Sequence, residues 1–295
     1  NCKFDPHVNV ALRKRQSGSI FKPFVYALAI QEGKSPCFKV SNGPICIDNW
    51  CPDNSDGSGG GLLTLKSALA KSVNRISAWI IKQYGTRAVI QMARQLGITS
   101  NLLESPTICL GTAEITLLEM LGAMNTFPNK GRFIKPNAIL KIEDHNGRVI
   151  YQAEQITTEV MDEGKAYTMV QLMRGVVDIG TGKRLRYNYK LMNEIAGKTG
   201  TTQRNSDGWF IGYTPELTAG VWVGGEERSV HFNSTAEGQG ASMALPIWGL
   251  FFSKIYNDPS LKISKNGFPK PITLDPNLDL NCSDYNEEIE NNKEA

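Results

Sequence analysis

The chain has 295 residues, of which 41% are hydrophobic, 8% aromatic and 21% charged, a composition that excludes disorder throughout. A formal net charge of +3 without a basic run argues against a nucleic-acid partner. The longest apolar run, residues 244–252, contains proline and glycine and is much shorter than the ~20 residues that a membrane span needs.

Regular spacing of apolar residues predicts a mainly helical first two thirds of the chain. Apolar side chains recur every three or four positions in five stretches, and Thr64 is a suitable N-cap for the second of them. Residues 35–61 are rich in Pro, Gly, Asn and Asp, which predicts a long surface loop. The predicted helical stretches are residues 21–31, 64–84, 86–96, 116–125 and 163–177.

After Gly182 the pattern changes to short segments with small, β-branched and aromatic residues, which are typical of strands. Two of these segments flank a Pro-Glu dipeptide, so they predict an antiparallel hairpin. The predicted strands are residues 194–201, 208–214 and 217–224.

The end of the chain combines one more helix with a polar tail. Residues 241–256 are apolar enough for a final helix, and Pro, Asn, Asp and Glu dominate after it. We therefore expect one α+β domain over residues 1–274 and an acidic, disordered tail over residues 275–295.

Six cysteines occur without any C-x-x-C pair, so a zinc site is not expected. Cys37, Cys46 and Cys51 lie in the predicted loop. Two alternatives remain open for them: one disulfide formed in an oxidising compartment, or free thiols. The three histidines have no metal-binding spacing and are expected to be surface or structural residues.

Ser19 and Lys22 form an S-x-x-K motif at the start of the first predicted helix. Residues three apart share a helix face, so the two side chains are expected to meet. A lysine that is buried loses its charge more easily and can accept the proton of a serine hydroxyl. Backbone N–H groups at the helix start also favour developing negative charge. The motif predicts a nucleophile, its base and part of an oxyanion hole.

Ser72 and Asn74 form an S-x-N motif within the second helical stretch. Residues two apart point in nearly opposite directions on a regular helix, so they cannot serve one site from its middle. We therefore expect two helices that meet at a turn and present both side chains. The alternative is a continuous helix with both side chains solvated.

Lys198, Thr199, Gly200 and Thr201 follow as a K-T-G-T motif on the first predicted strand. A strand edge of this kind can bind an extended peptide, with the lysine attracting a carboxylate and the threonines hydrogen-bonding it. A phosphate-binding P-loop is excluded, because its first glycine would fall on Met192.

The three motifs, in this order, resemble the signatures of the transpeptidase domain of class A bifunctional penicillin-binding proteins. The similarity covers about residues 5–270. It implies a fold like that of serine β-lactamases, with an antiparallel sheet flanked by helices and two N-terminal strands expected outside this chain. The matching segments are RQSGSIFKPF (15–24), ALAKSVN (68–74), GTG (180–182), GKTGTT (197–202), DGWFIGYTP (207–215) and ALPIWG (244–249).

The resemblance also implies a role for each site residue. Ser19 corresponds to the acylated nucleophile, Lys22 to its base and Ser72 to a proton shuttle. The remaining implied roles are substrate amide binding by Asn74, carboxylate binding by Lys198, Thr199 and Thr201, substrate binding by Gly200, and an oxyanion hole from the amides of Ser19 and Thr201.

The reaction implied by the resemblance is D,D-transpeptidation of peptidoglycan. A D-Ala-D-Ala stem peptide is the donor, an amine on a neighbouring strand is the acceptor, and β-lactams acylate the same serine. No cofactor, metal or nucleic acid is implied. The full-length protein is expected to carry an upstream glycosyltransferase domain and a membrane anchor, with catalysis on the extracytoplasmic face of the bacterial inner membrane.

Two alternatives to the transpeptidase function remain open. Water instead of an amine would make the domain a D,D-carboxypeptidase or a β-lactamase-like hydrolase. A start only 18 residues before Ser19 would leave an unpaired sheet edge and poor solubility, and the chain would then be an inactive relic or a β-lactam-binding module. Ser17 departs from the proline common in the family, a change expected to loosen the turn before Ser19.

Overall fold

A three-stranded antiparallel sheet lies at the centre of the structure, a computed structural model that describes residues 9–282. The strands of the described residues are β1 Arg15–Gln16, β2 Lys39–Ser41, β3 Leu62–Thr64, β4 Glu114–Ile115, β5 Arg132–Ile134, β6 Lys141–Glu143, β7 Val149–Gln152, β8 Thr157–Glu159, β9 Ala196–Thr201, β10 Asp207–Tyr213 and β11 Thr218–Gly224. The α-helices are α1 Lys22–Gln31, α2 Leu65–Ala70, α3 Asn74–Tyr84, α4 Thr86–Gln95, α5 Leu117–Asn125, α6 Glu163–Asp178, α7 Arg184–Tyr187, α8 Thr235–Gly238, α9 Gly240–Met243 and α10 Leu245–Asn257. Short 3₁₀ helices cover Val10–Leu12, Gly18–Phe21, Pro106–Leu110 and Gln203–Asn205.

The middle strand of the central sheet, β10, is buried on both faces. Successive side chains of a strand point to opposite faces, so this strand contributes to two separate cores. Trp209, Ile211 and Tyr213 belong to the larger core, whereas Phe210 belongs to the smaller one. The sheet is therefore covered by helices on both sides.

Helix α1 lies in the larger core and α10 in the smaller one. Lys22 and the eight residues after it in α1 are buried, as expected for a helix that is apolar all round. On the other face Trp248 stacks on Phe252 with ring centroids 3.8 Å apart. Phe210 meets Trp248 edge-on at 5.3 Å, which joins α10 to the sheet.

The predicted α+β class is confirmed, and most predicted elements appear within a few residues of their expected bounds. The prediction of one continuous helix over residues 241–256 is wrong, because α9 and α10 meet at Ala244. Pro246 lacks the N–H that would hydrogen-bond Ser242, which explains the interruption. The predicted loop 35–61 also contains β2, which pairs with β3.

The structure contains two disulfides, where the sequence left either one disulfide or free thiols open. Cys46 pairs with Cys51 inside the predicted loop, and Cys37 pairs with Cys282. Cys109 is a free, buried thiol, and Cys2 lies outside the described residues. The division at residue 274 stays a prediction. Residues 275–282 of the predicted tail are attached to the domain by the disulfide, and residues 283–295 lie outside the described part.

The outer side of β11 has no strand partner within residues 9–282. Among the helices of the same residues, none is long and apolar enough to cross a bilayer.

Candidate active site

A cleft of about 630 Å³ is lined by residues from the turn before α1, the turn between α2 and α3, and β9. This volume lies in the range of small-molecule sites, roughly 300–1,000 Å³. The predicted site residues that line it are Ser19, Ser72, Asn74, Thr199 and Thr201. The sequence motifs therefore converge on one cavity although they are far apart in the chain.

Ser19 lies in the 3₁₀ helix Gly18–Phe21 and is half-buried at the cleft. Its hydroxyl makes no hydrogen bond with any residue in the range 9–282, so it is available to a ligand. Its backbone N–H belongs to the first turn of the helix, where N–H groups lack intrahelical acceptors.

Two glycines with positive φ allow the turn before Ser19 to pack closely. Gly18 has φ +54°, and a Cβ there would stand 2.6 Å from the carbonyl oxygen of Thr201. Gly111 has φ +78°, and a Cβ there would stand 1.8 Å from the carbonyl oxygen of Gly18. Ser17 adds a bond that proline cannot make, because its N–H donates to the Ala113 carbonyl at 3.0 Å.

Replacing Gly111 by alanine is expected to lower the melting temperature and to disturb the Ser19 turn. The new methyl group would collide with the Gly18 backbone, in addition to the roughly 1–2 kcal/mol that a left-handed conformation costs. Gly33→Ala is a matched control, since Gly33 has φ +85° with nothing within 4 Å of the added Cβ. Thermal unfolding of both variants measures the difference, and equal losses would contradict a steric role for Gly111.

Lys22 is fully buried at the base of the cleft, with 0% exposure. Its Nζ donates to Asn74 Oδ1 at 2.7 Å, lies 3.2 Å from Ser72 Oγ and also contacts the Ser72 carbonyl oxygen. Burial disfavours the ammonium form and lowers the pKa of Lys22 to about 7. The side chain can therefore exchange a proton near neutral pH.

The turn between α2 and α3 confirms the predicted interruption of the second helical stretch. Helix α2 ends at Ala70 and α3 begins at Asn74. Ser72 between them has φ +61°, an uncommon conformation for a residue with a side chain. Because the backbone turns here, Ser72 and Asn74 both reach Lys22, which a regular helix would not permit.

Lys198 is also fully buried, with 0% exposure, and lies behind the cleft wall. Its Nζ donates to Ser72 Oγ at 2.9 Å and to the Thr199 carbonyl at 3.0 Å. Burial first, and then the nearby charge of Lys22, lower its pKa well below the usual value. Direct contact of Lys198 with a substrate carboxylate stays a prediction; in this structure the Lys198 amine faces Ser72 Oγ.

Strand β9 presents its other motif residues to the cleft. Thr199 Oγ1 lies 2.5 Å from Thr181 Oγ1, and Thr201 Oγ1 accepts from the Gly240 N–H at 3.0 Å. The Thr202 N–H donates to the Asp207 carbonyl between β9 and β10. Hydrogen-bonded and non-hydrogen-bonded pairs alternate along an antiparallel ladder, so the neighbouring pair, Thr201 and Gly208, is not hydrogen-bonded. The Thr201 N–H therefore points away from β10, as an oxyanion donor must.

Gly200 leaves little room for a side chain. A Cβ there would stand 3.1 Å from the Ile20 backbone nitrogen, so this glycine lets β9 approach the nucleophile turn closely.

Part of the loop 35–61, which the motifs do not include, forms a wall of the cleft. Trp50, Ser55 and Asp56 line the cavity from this loop. The run of turn-forming residues 52–57, shortly before the S-x-N motif, is the signal that would have drawn attention to it. Arg204 and Asn205, which follow the K-T-G motif with positive φ, also line the cleft and were not predicted.

Comparisons with known proteins agree with this geometry. The family profile described as the penicillin binding protein transpeptidase domain matches residues 5–226. The chain belongs to this family. The transpeptidase domain is 35% identical over 293 residues to penicillin-binding protein 1A of Neisseria meningitidis serogroup A, covering 91% of this chain and 36% of that protein. It is 31% identical over 303 residues to penicillin-binding protein 1A of Rickettsia prowazekii, covering 92% and 37%. The chain thus spans little more than a third of the length of these relatives.

Solved structures show the same fold as this transpeptidase domain. PonA1 of Mycobacterium tuberculosis superposes with a TM-score of 0.78 at 24% identity, covering 91% of this chain and 75% of that one. The same protein in complex with penicillin V gives a TM-score of 0.77, with 24% identity and the same two coverages. Penicillin-binding protein 1A of Haemophilus influenzae gives 0.76 at 23% identity, covering 83% and 42%. The predicted penicillin-binding protein fold is confirmed.

Proposed function

We propose that this domain is a peptidoglycan D,D-transpeptidase that works through an acyl-enzyme on Ser19. One observation carries the proposal: the Ser72 hydroxyl lies within 3.2 Å of the amines of two buried lysines, beside the cleft that Ser19 lines. Such a chain of groups can move a proton to and from a nucleophile without any metal. The family match favours this reaction over a relic or a hydrolase.

In the first step Ser19 Oγ attacks the carbonyl carbon of the penultimate D-Ala. The serine proton passes to the Lys22 amine, which is neutral in a large fraction of molecules because its pKa is about 7. Negative charge develops on the carbonyl oxygen, where the N–H groups of Ser19 and Thr201 are the proposed donors.

In the second step the C–N bond breaks and the last D-Ala leaves. Its nitrogen takes a proton from Ser72, whose hydroxyl regains one from Lys22. The acceptor amine then attacks the acyl-enzyme and gives up one proton along the same path in reverse. That proton returns to Ser19 Oγ as the ester bond breaks, so the enzyme is regenerated.

Two walls of the cleft are proposed to bind different groups of the substrate: β9 binds the terminal carboxylate, and Asn74 binds a carbonyl. The terminal carboxylate would lie against the hydroxyls of Thr199 and Thr201, while Lys198 holds the Ser72 hydroxyl from behind the cleft wall. Asn74 holds its Oδ1 against Lys22 and gives one Nδ2 hydrogen to the Asp53 carbonyl. Its second Nδ2 hydrogen is proposed to bind a substrate carbonyl.

The two disulfides support catalysis outside the cytoplasm, since such bonds persist in oxidising compartments. We therefore propose the extracytoplasmic face of the bacterial inner membrane as the location. Stem peptides and β-lactams are the proposed ligands, and a glycosyltransferase domain and a membrane anchor are proposed for the longer protein.

Incubation with a D-Ala-D-Ala-terminated stem peptide and an amine acceptor tests the reaction. Mass spectrometry is expected to detect free D-Ala together with the peptide joined to the acceptor. Release of D-Ala with only the water-derived product would identify a D,D-carboxypeptidase instead. Neither product from a folded sample would contradict both enzymatic assignments.

A further inference from the structure

Asn54 occupies a central position in the loop wall, outside the three motifs. Its side chain is nearly buried, with 7% exposure. Its Nδ2 donates to Asn42 Oδ1 at 2.8 Å and to the Ser58 carbonyl at 2.9 Å, while its Oδ1 accepts from the N–H groups of Asn74 and Arg75 at 2.9 and 3.1 Å. All four hydrogen-bonding positions of this amide are therefore used.

The acceptor half of Asn54 takes the place of a local helix cap. The first N–H groups of a helix have no intrahelical acceptor, and the residue at the N-cap normally supplies one. Helix α3 has Val73 at this position, whose side chain forms no cap bond. Asn54 caps the helix instead, from a loop about twenty residues earlier in the chain.

The residue beside Asn54 controls the orientation of the Asn74 side chain. The Asp53 carbonyl accepts from Asn74 Nδ2 at 2.7 Å, and the Asp53 carboxylate pairs with Arg75 at 2.9 Å. Because Nδ2 is held on the loop side, Oδ1 faces Lys22 Nζ at 2.7 Å. Contacts between the loop and the first turn of α3 therefore fix the position of Asn74 Oδ1, the atom that contacts the proposed base Lys22.

We propose that Asn54 is a positioning residue for acylation: by capping α3 across the cleft wall it holds Asn74 in the orientation that contacts Lys22. This inference rests on the proposed function, since it concerns the base of that reaction. Asn54 does not line the cleft, so its effect passes through Asn74 and reaches the chemical step rather than ligand binding.

The test separates the acylation rate constant from the dissociation constant of the non-covalent complex. Rapid mixing of the full chain with a fluorescent penicillin gives both. We expect Asn54→Ala to lower the acylation rate constant about tenfold or more with the dissociation constant unchanged, because a small misplacement of a reacting group is costly. Asn54→Asp keeps the acceptor for both amides but turns a carboxylate oxygen toward the oxygens of Asn42 and Ser58, so it should melt earlier than the unaltered chain while its acylation rate constant stays above that of Asn54→Ala.

Asp162→Ala is the matched control for stability. Asp162 caps α6 by accepting from the Lys165 N–H, and it does not line the cleft. This variant should melt earlier without losing acylation rate. Hydrogen exchange at the Asn74 and Arg75 amides reads the cap directly and should accelerate in Asn54→Ala.

Four results would overturn the inference. An unchanged acylation rate constant in Asn54→Ala, or unchanged exchange at the two amides, would contradict the positioning role alone. A rate loss as large in Asp162→Ala would assign the effect to stability. An unaltered chain that is never acylated would overturn the proposed function, and the positioning role with it.

Discussion

Ser19→Ala is expected to leave no covalent adduct after incubation with benzylpenicillin, whereas the unaltered chain should gain one penicillin mass. The variant removes the hydroxyl that lines the cleft without a hydrogen-bond partner among the described residues. Ser72 cannot substitute for it, because its hydroxyl is already engaged by Lys22 and Lys198. Intact-protein mass spectrometry measures the adduct directly.

The loss should be chemical and not a failure to fold. Removing one oxygen atom that forms no hydrogen bond within residues 9–282 should change the free energy of unfolding by about 0.5 kcal/mol or less. Ser55→Ala is the matched control, since Ser55 lines the same cleft from the loop wall and should keep the adduct. An adduct that survives in Ser19→Ala would assign the nucleophile to another residue.

The acylation rate should rise with pH and level off above about pH 7. Burial lowers the pKa of Lys22 to about 7, while the Cys109 thiol and the Asp56 carboxylate oppose this shift. The Lys198 amine also lies near this group, since it donates to the Ser72 hydroxyl that Lys22 contacts. Below that pH the amine carries a proton and cannot accept another from Ser19. Above it the amine is neutral, so the sign of the dependence is an increase with pH.

Lys22→Met should lower the acylation rate by about 10²–10⁴-fold, the usual contribution of a positioned base, and abolish this pH dependence. Lys66→Met is the matched control, because Lys66 is also a buried lysine with a lowered pKa of about 8. Its Nζ donates to the Leu280 carbonyl, away from the cleft, so the pH profile should not change. A profile of the unaltered chain that is flat between about pH 5.5 and about pH 8.5 would contradict Lys22 as the base.

Local rules explain why much of this fold was predictable from sequence. Apolar spacing and the Thr64 cap located helices correctly, since both act over one or two turns. The interruption between Ala70 and Asn74 followed from helix geometry together with the hypothesis that Ser72 and Asn74 serve one site. Apolar periodicity predicts one helix through Ala244, whereas the missing N–H of Pro246 interrupts it.

Local sequence rules do not predict contacts between segments that are distant in the chain. The bonds of Asn54 to Asn74 and the position of Lys198 behind Ser72 arise only when the fold brings separate loops together. The same is true of the cysteines, where an even count cannot specify a pairing across 245 positions. The motifs therefore predict the chemistry that we propose for the site, whereas the contacts that support the motif residues are visible only in the structure.

The Cys37–Cys282 bond also determines how the domain carries mechanical load. Its two cysteines are 245 positions apart, so residues 38–281 lie inside a covalent ring. Tension between the N-terminal segment and the chain beyond Cys282 passes directly across the sulfur bridge and bypasses the central sheet. Among the described residues, 9–36 lie outside this ring and remain in the loaded path, and they include Ser19 and Lys22. A stretched chain would therefore strain the nucleophile segment before it pulled on any strand of the sheet.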